Sequence, residues 1–235
     1  MNKKGFKIKV SVIIFWFVVI ISFVLVGSAV HLKANGWQLN YRTWQLVKTG
    51  MVSLNGEPRG SKIQINGKDY SQALPAKIRY LLPDYYDITV SNDKYQSWQQ
   101  TIQVQSGKAS IYPYITLFLA NPEDVTVPES VSKEKIQEDY LKQSQDLKIS
   151  NEEIYWNDKF ITRFSQKVLG AITYSDNNHI VFQQNDEIRV IDIDGSNNKL
   201  LFKLNSFQPT PFSITSNGKT IYYLDQDKIS GKSIR

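Results

Sequence analysis

Three patterns of apolar and polar positions follow one another along the chain. The first is unbroken: Val10 to Val30 reads VSVIIFWFVVIISFVLVGSAV, 21 residues without a charge and with only Ser and Gly as interruptions. At the helical rise it spans about 31 Å, the hydrocarbon thickness of a bilayer. A buried core helix is the alternative, but such helices are rarely apolar on every side for so long. The second pattern, from residue 48 to 119, is a series of short alternating runs: Met51–Leu54, Lys62–Ile65, Lys77–Leu81, Tyr86–Val90, Ser97–Val104 and Ser110–Leu119. Between them lie turn formers, Glu57-Pro58-Arg59-Gly60, Asn66-Gly67-Lys68, Pro83-Asp84, Asn92-Asp93 and Ser106-Gly107. Short period-2 runs so punctuated predict a small antiparallel β-sandwich, with Ile63 and Ile65 on one face and Ile102 and Val104 on another strand doing the same. About 75 residues leave a thin core margin, which Trp98, Tyr86 and Tyr95 are placed to thicken.

The third pattern is a repeat. Tyr174 to Ile188 (YSDNNHIVFQQNDEI) aligns with Thr215 to Ile229 (TSNGKTIYYLDQDKI) at a spacing of 41, so that Ile180-Val181-Phe182 meets Ile221-Tyr222-Tyr223. A hairpin, EIYWNDKFITRF at residues 153–164, precedes them. Residues 120–131, ANPEDVTVPESV, lack apolar periodicity and read as a linker. Ser132 to Leu147 then predicts a helix with Ile136, Tyr140, Leu141 and Leu147 on one stripe, Ser132 as its cap, and Val131 with Ile136 as a staple.

The resulting order is a tail (1–9), a transmembrane signal anchor (10–30), a juxtamembrane segment (31–47), the sandwich (48–119), linker and short helix (120–147), and repeats (148–235). The expected fold class is mainly β. Gly27-Ser28-Ala29 offers a small-residue cleavage site, but the apolar run exceeds the 7–15 residues of a secretory signal, so an uncleaved anchor is expected.

Two resemblances rest on these motifs. Pro58, Gly60 and Ser61, the alternation Ile63/Ile65 with its Asn66-Gly67 turn, Leu74-Pro75, Leu82-Pro83 before Tyr86, Ile88 and Val90, and Tyr95-Gln96-Ser97-Trp98 together resemble the PEGA domain, a small bacterial β-sandwich often found outside the membrane. Arg59 stands at the position of the name-giving Glu, and Asp84 and Lys94 replace two glycines of the pattern. Ser175-Asp176-Asn177-Asn178, the run Ile188 to Ile191 and Asp194-Gly195 resemble TolB-like or WD-type β-propeller blades, without the WD dipeptide. A blade cannot bury its faces alone, and propellers close with four or more. The chain's end at Arg235, inside a repeat, therefore predicts a truncated or degenerate array, or repeats that pack on the sandwich or on another chain.

Charge and residue supply narrow the functional classes. The net charge is +6, but Lys3, Lys4, Lys7 and Lys9 carry four of the positive charges and the remainder holds 24 basic against 22 acidic residues. No basic face for nucleic acid emerges. The same four lysines, against only Lys33 and Arg42 just beyond the span, predict a cytoplasmic N-terminus and extracytoplasmic domains by the positive-inside rule. The chain has no Cys and two His, His31 and His179, which removes thiol chemistry and leaves little material for a metal cluster or triad.

No catalytic, cofactor-binding or metal site is expected. Asp192-Ile193-Asp194-Gly195-Ser196-Asn197 imitates a calcium loop, but its twelfth position is Lys203, so a strand and Asp-Gly turn is the expectation. Asp84, Asp87 and Asp93 read as turn caps, and His179 as an exposed turn residue. Tyr85, Tyr95, Trp98, Tyr112 and Tyr114 read chiefly as core or cross-strand pairs, with a glycan- or protein-binding surface as the alternative. The expected function is a non-enzymatic, membrane-anchored binding or scaffold module contacting an envelope protein or cell-wall polymer. The alternative is an accessory positioning subunit of an envelope enzyme or transport complex. Direct hydrolysis of envelope glycans would need two placed carboxylates, and none stand out.

Overall fold

A computed structural model describes residues 10–41, 43–226 and 228–235. The expected tail 1–9, with its four lysines, and Arg42 lie outside the described residues. The apolar run is helical throughout: α1 spans Val10–Ala34, 25 residues, none of them buried. It continues past Val30 because His31, Leu32, Lys33 and Ala34 all tolerate helix. It stops where Gly36 turns left-handed (φ 78°) and the Asn35 side-chain amide caps the His31 carbonyl at 2.8 Å. By length and composition this helix can cross a membrane. A hairpin follows, β1 (Trp37–Asn40) against β2 (Gln45–Lys48), with Leu39 opposite Leu46 and Trp37 opposite Lys48.

The chain divides into two compact units. The first comprises 1–53, 77–85 and 103–111, and the second 54–76, 86–102 and 112–235. In the first, the Thr49 amide and hydroxyl both donate to the Gly36 carbonyl, at 2.7 and 2.8 Å, tying the base of the β1–β2 hairpin to the next strand. That strand is β3 (Gly50–Glu57), followed by β4 (Lys62–Ile65), β5 (Lys68–Asp69), β6 (Ala76–Leu81), β7 (Asp84–Ser91), β8 (Trp98–Val104) and β9 (Ala109–Thr116). They form two sheets, β6-β3-β9 and β5-β4-β7-β8, with β4 antiparallel to both β5 and β7. Each predicted run contains a strand, β4 residue for residue, but Ser97 precedes β8 and the last run leaves strand after Thr116 rather than at Leu119. Alternate positions are buried, among them Val52 and Leu54 on β3, Ile88 and Val90 on β7, and Ile102 and Val104 on β8. The Asn66-Gly67 turn has φ 51° and 74°, the two left-handed residues that a tight hairpin with the right twist requires. Gly60 (φ 82°) shapes the earlier corner, where its amide donates to Leu74 and the Ser61 hydroxyl to Pro58. The Pro-Gly-Asn-Gly stretch is turn chemistry.

In the second unit the 120–131 segment carries a two-residue strand, β10 (Glu123–Asp124). Then come α2 (Lys133–Ser144), β11 (Leu147–Ser150), β12 (Glu153–Trp156), β13 (Lys159–Arg163), β14 (Val168–Thr173), β15 (His179–Gln184), β16 (Glu187–Asp192), β17 (Lys199–Lys203), β18 (Phe212–Ile214), β19 (Thr220–Asp225) and β20 (Lys228–Ser233). Ser132 caps α2 as expected, its hydroxyl accepting from the Lys135 amide at 3.2 Å. The helix ends earlier than the stripe suggested, because Leu147 belongs to β11. The predicted hairpin is β12–β13, turning at Asn157 and Asp158 with φ 47° and 60°.

The repeat is exact in backbone terms. β19 and β20 begin 41 residues after β15 and β16 (220 against 179, 228 against 187). Left-handed residues recur at the same offset, Asn177 with Gly218 and Asn185 with Gln226. So do the turn hydrogen bonds, Tyr174 N–H to His179 O matching Thr215 N–H to Thr220 O. The sheets are β11-β12-β13, β14-β15-β16-β17 and β10-β20-β19-β18. In the last, the strand beside β20 comes from β10 (Glu123 opposite Ser233), where the first repeat uses its own β17. Among the described residues these sheets close into neither a barrel nor a propeller.

β15 is buried at all six positions. Val181 enters one apolar cluster, with Phe118, Tyr174, Phe212 and Tyr223, while Ile180 and Phe182 enter a second, with Ile154, Ile161 and Val168. The unbroken Ile180-Val181-Phe182 triplet is thus a strand covered on both faces.

Candidate functional site

The most unusual polar group in the molecule is His179, 2% exposed and the first residue of β15. This corrects its reading as an exposed turn residue: the chain turns just before it, and the strand start lies against Phe118 and Tyr174, whose rings are T-shaped to the imidazole with centroids 5.6 and 5.7 Å away. Both ring nitrogens face carboxylates. Asp176 sits in the β14–β15 turn, where one oxygen accepts the Asn178 amide at 2.8 Å and the other meets His179 Nδ1 at 2.8 Å. Asp192 ends β16 directly opposite His179, so its Oδ1 lies 3.3 Å from Nε2. A ring donating at both positions is the doubly protonated form; a neutral ring turns one lone pair toward a carboxylate.

The two acids also hold other segments of the second unit. Asp192 Oδ2 accepts the Trp98 indole N–H at 3.0 Å, Asn197 Nδ2 at 2.9 Å and the Ser196 hydroxyl at 3.3 Å. Asp176 accepts the Thr116 hydroxyl at 3.2 Å. Beside them the Gln99 amide donates to Asn197 and the Gln96 side chain to the Leu200 carbonyl, at 2.9 and 2.6 Å. Burial raises the Asp192 carboxyl above the usual carboxylate range, against the opposing pull of His179, Asn197 and Trp98. Burial, then the Asp176 charge, likewise raises Tyr174, whose hydroxyl donates to the Gly218 carbonyl at 2.6 Å. The cavity bordering Trp98, Thr116, Phe118 and Asp192 measures about 10 Å³, room for no more than a single water. This cluster joins segments of the second unit.

The other residues considered from sequence are placed as follows. Asp192 to Asn197 is a turn with Gly195 at φ 86°, and Lys203 at the twelfth position pairs with Asp186 and Glu187. Asp84 caps the Tyr85 amide, Asp87 accepts the Thr101 hydroxyl, and Asp93 lies 3.8 Å from Lys62 in solvent. Among the described residues no group of three or more His, Asp or Glu is arranged to hold a metal. Trp98 is core, packed edge-on against Tyr112 at 5.7 Å, whereas Tyr85 and Tyr114 are exposed.

A larger open cavity of about 710 Å³ lies between α2 and the loops after β14 and β18. Its wall includes Lys135, Asp139, Lys142 and Asp146, balanced in charge, and the buried Thr173 hydroxyl, which has no partner. Gln143 beside it donates to the Ile214 carbonyl and accepts its amide, at 2.8 and 3.0 Å, in the manner of a paired strand. Sequence reading missed Asp176, Thr116 and Gln143. Only the Asp176–His179 spacing after a left-handed Asn177 offered a local signal.

The decisive comparison concerns the region of β3 to β8, whose last strand supplies Trp98. Residues 49–112 match the PEGA domain family. The match holds the Gly60 corner, the Asn66-Gly67 turn and β3 to β8, and covers about a quarter of the chain. Among curated proteins none matches. From the PEGA domain, Gln96, Trp98 and Gln99 reach into the cluster around Asp192 and Asn197. Thr116 approaches from just beyond the match.

Proposed function

We propose that the chain is a membrane-anchored, extracytoplasmic scaffold or binding module whose PEGA domain and repeats form a non-enzymatic head. The observation that carries this is α1: a 25-residue helix, uncharged from Val10 to Val30 and with no residue buried, followed shortly by a PEGA domain. The Lys3, Lys4, Lys7 and Lys9 excess favours a cytoplasmic N-terminus. Four-stranded sheets whose β15–β16 and β19–β20 hairpins recur on a 41-residue period favour a propeller-like reading of the repeats, with β10 supplying the outer strand of the second. The polar material is spent on joining segments, which favours scaffolding over catalysis. The partner class is an envelope protein or cell-wall polymer, met through exposed aromatics such as Tyr85 or Tyr114.

Thiol labelling of intact cells tests the topology, because the chain has no Cys of its own. A Phe207→Cys variant, at a position 68% exposed, is expected to react with a membrane-impermeant maleimide before lysis. Reaction only after lysis overturns the reading. Stoichiometric recovery of one envelope enzyme from membranes would turn the scaffold into that enzyme's positioning subunit.

A further inference from the structure

The β1–β2 hairpin presents apolar side chains to solvent at the point where the chain leaves α1. Trp37, Tyr41, Trp44 and Leu46 are 40%, 74%, 76% and 53% exposed. The register explains the grouping: Trp37 and Leu39 share a face with Leu46 and Lys48, while Gln38, Asn40, Gln45 and Val47 point the other way. Tyr41 and Trp44 lie in the connecting turn. Trp44 is left-handed (φ 54°), an uncommon state for a bulky residue, held by its amide donating to the Asn40 carbonyl at 2.8 Å. The hairpin is also fixed at its base, through Thr49 to Gly36 and through the Ser106 hydroxyl to the Lys48 carbonyl at 3.0 Å.

Position and charge select one occupant for this face. The apolar run ends at Val30, and the four further helical residues to Ala34 add about 6 Å. The headgroup layer is about 5–8 Å deep on each side, so the hairpin starts within it. Trp and Tyr concentrate at this depth, where an apolar ring with a polar edge suits the boundary. No acidic residue occurs before Glu57, so nothing in this segment resists an anionic surface, and Lys33 and Lys48 are exposed to meet it.

We propose that β1–β2 is an interfacial anchor, a hairpin that seats Trp37, Tyr41, Trp44 and Leu46 in the outer headgroup layer. It holds β3 at a set height and orientation, where α1 alone would leave the chain free to swivel at Asn35-Gly36. The inference rests on α1 lying in the bilayer, and its test separates the two.

The full chain is reconstituted in phosphatidylcholine–phosphatidylglycerol vesicles with a nitroxide on one introduced cysteine: Thr43→Cys in the turn, Ile20→Cys as the bilayer reference, or Lys159→Cys as the aqueous one. Relaxation by oxygen and by a water-soluble nickel chelate reports depth. Thr43→Cys is expected to read between the references, and to fall to the Lys159→Cys value when Trp37→Ala, Tyr41→Ala and Trp44→Ala are combined with it. A deep Ile20→Cys with Thr43→Cys fully aqueous overturns the hairpin proposal alone. Shielding of Thr43→Cys from both reagents, equally in vesicles and in detergent, means it is covered by protein and also overturns it. An aqueous Ile20→Cys removes the membrane reading of α1 itself.

Discussion

Replacing His179 with Phe isolates the electrostatic part of the buried cluster. The ring keeps its volume between Phe118 and Tyr174, but both nitrogens are lost, and Asp176 and Asp192 face an apolar edge where each had a ring nitrogen, at 2.8 and 3.3 Å. Their side chains are only 18% and 16% exposed, so water compensates poorly. Breaking a buried pair from one side costs about 3–5 kcal/mol, and the remaining donors from Thr116, Trp98 and Asn197 reduce that to about 2–4 kcal/mol here. For a chain of this size the loss lowers the melting temperature by about 5–15 °C, readable by differential scanning calorimetry of the detergent-solubilised protein. The pH dependence has a definite sign. The folded Asp192 carboxyl is raised above its ordinary 3.8, so the native state holds that proton more tightly than the unfolded chain does. Its penalty is present above the folded value and is relieved as pH falls toward 3.8. Removing His179 removes an influence that lowers this pKa, so the variant's deficit should narrow on acidification. A melting temperature within about 2 °C of wild type at neutral pH, with no pH trend, would refute the assignment of His179 as the centre of the cluster.

Gly56→Ala places a Cβ 1.9 Å from the Ile115 carbonyl oxygen, a backbone clash that cannot rotate away. The expected loss is about 3 kcal/mol or more by urea denaturation, and ordinary stability would show that β3 and β9 do not meet there. Gln143→Ala leaves the amide and carbonyl of Ile214 unpaired on the edge strand β18, at about 1–3 kcal/mol, with hydrogen exchange at the Ile214 amide accelerating first. Ser132→Ala removes the α2 cap for about 1 kcal/mol, and an unchanged stability would mean that the Lys135 amide is satisfied by water.

What could be read from the sequence divides by the range of the interaction. β4 is Lys62–Ile65 in both pattern and structure because alternation, Gly60 and Asn66-Gly67 all act within a few residues. The Ser132 cap and the 41-residue offset are local or periodic and equally legible. The β1–β2 hairpin has four-residue strands and a connecting Tyr-Arg-Thr-Trp sequence in which Trp44 is left-handed, so no Gly or Asn-Gly signal announces it. β10 is two residues flanked by prolines, and only its pairing with β20, far along the chain, makes it a strand. His179 failed for a related reason: alternation separates an inside from an outside, and β15 has no outside.

The two repeats show how one backbone serves two ends. Asn177 and Gly218, Asn185 and Gln226 set the same turns, and the same main-chain bonds close them. The side chains then diverge at matching positions: His179, Asp176 and Asp192 in the first repeat stand where Thr220, Asn217 and Ser233 stand in the second. With ionisable groups, the first repeat draws Trp98 and Thr116 onto its carboxylates. With neutral ones, the second offers main chain, pairing Ser233 with Glu123, and adds an ion pair between Lys232 and Asp124 at 2.8 Å, while Arg235 just past β20 pairs with Glu57. A side-chain junction is specific because each donor has one acceptor at one angle, whereas a strand junction is held by main-chain bonds that most non-proline residues can supply. Exchange of residues between the repeats should therefore be asymmetric. Thr220→His introduces a ring without its carboxylate partners, while His179→Thr strips the PEGA domain's contact of its centre.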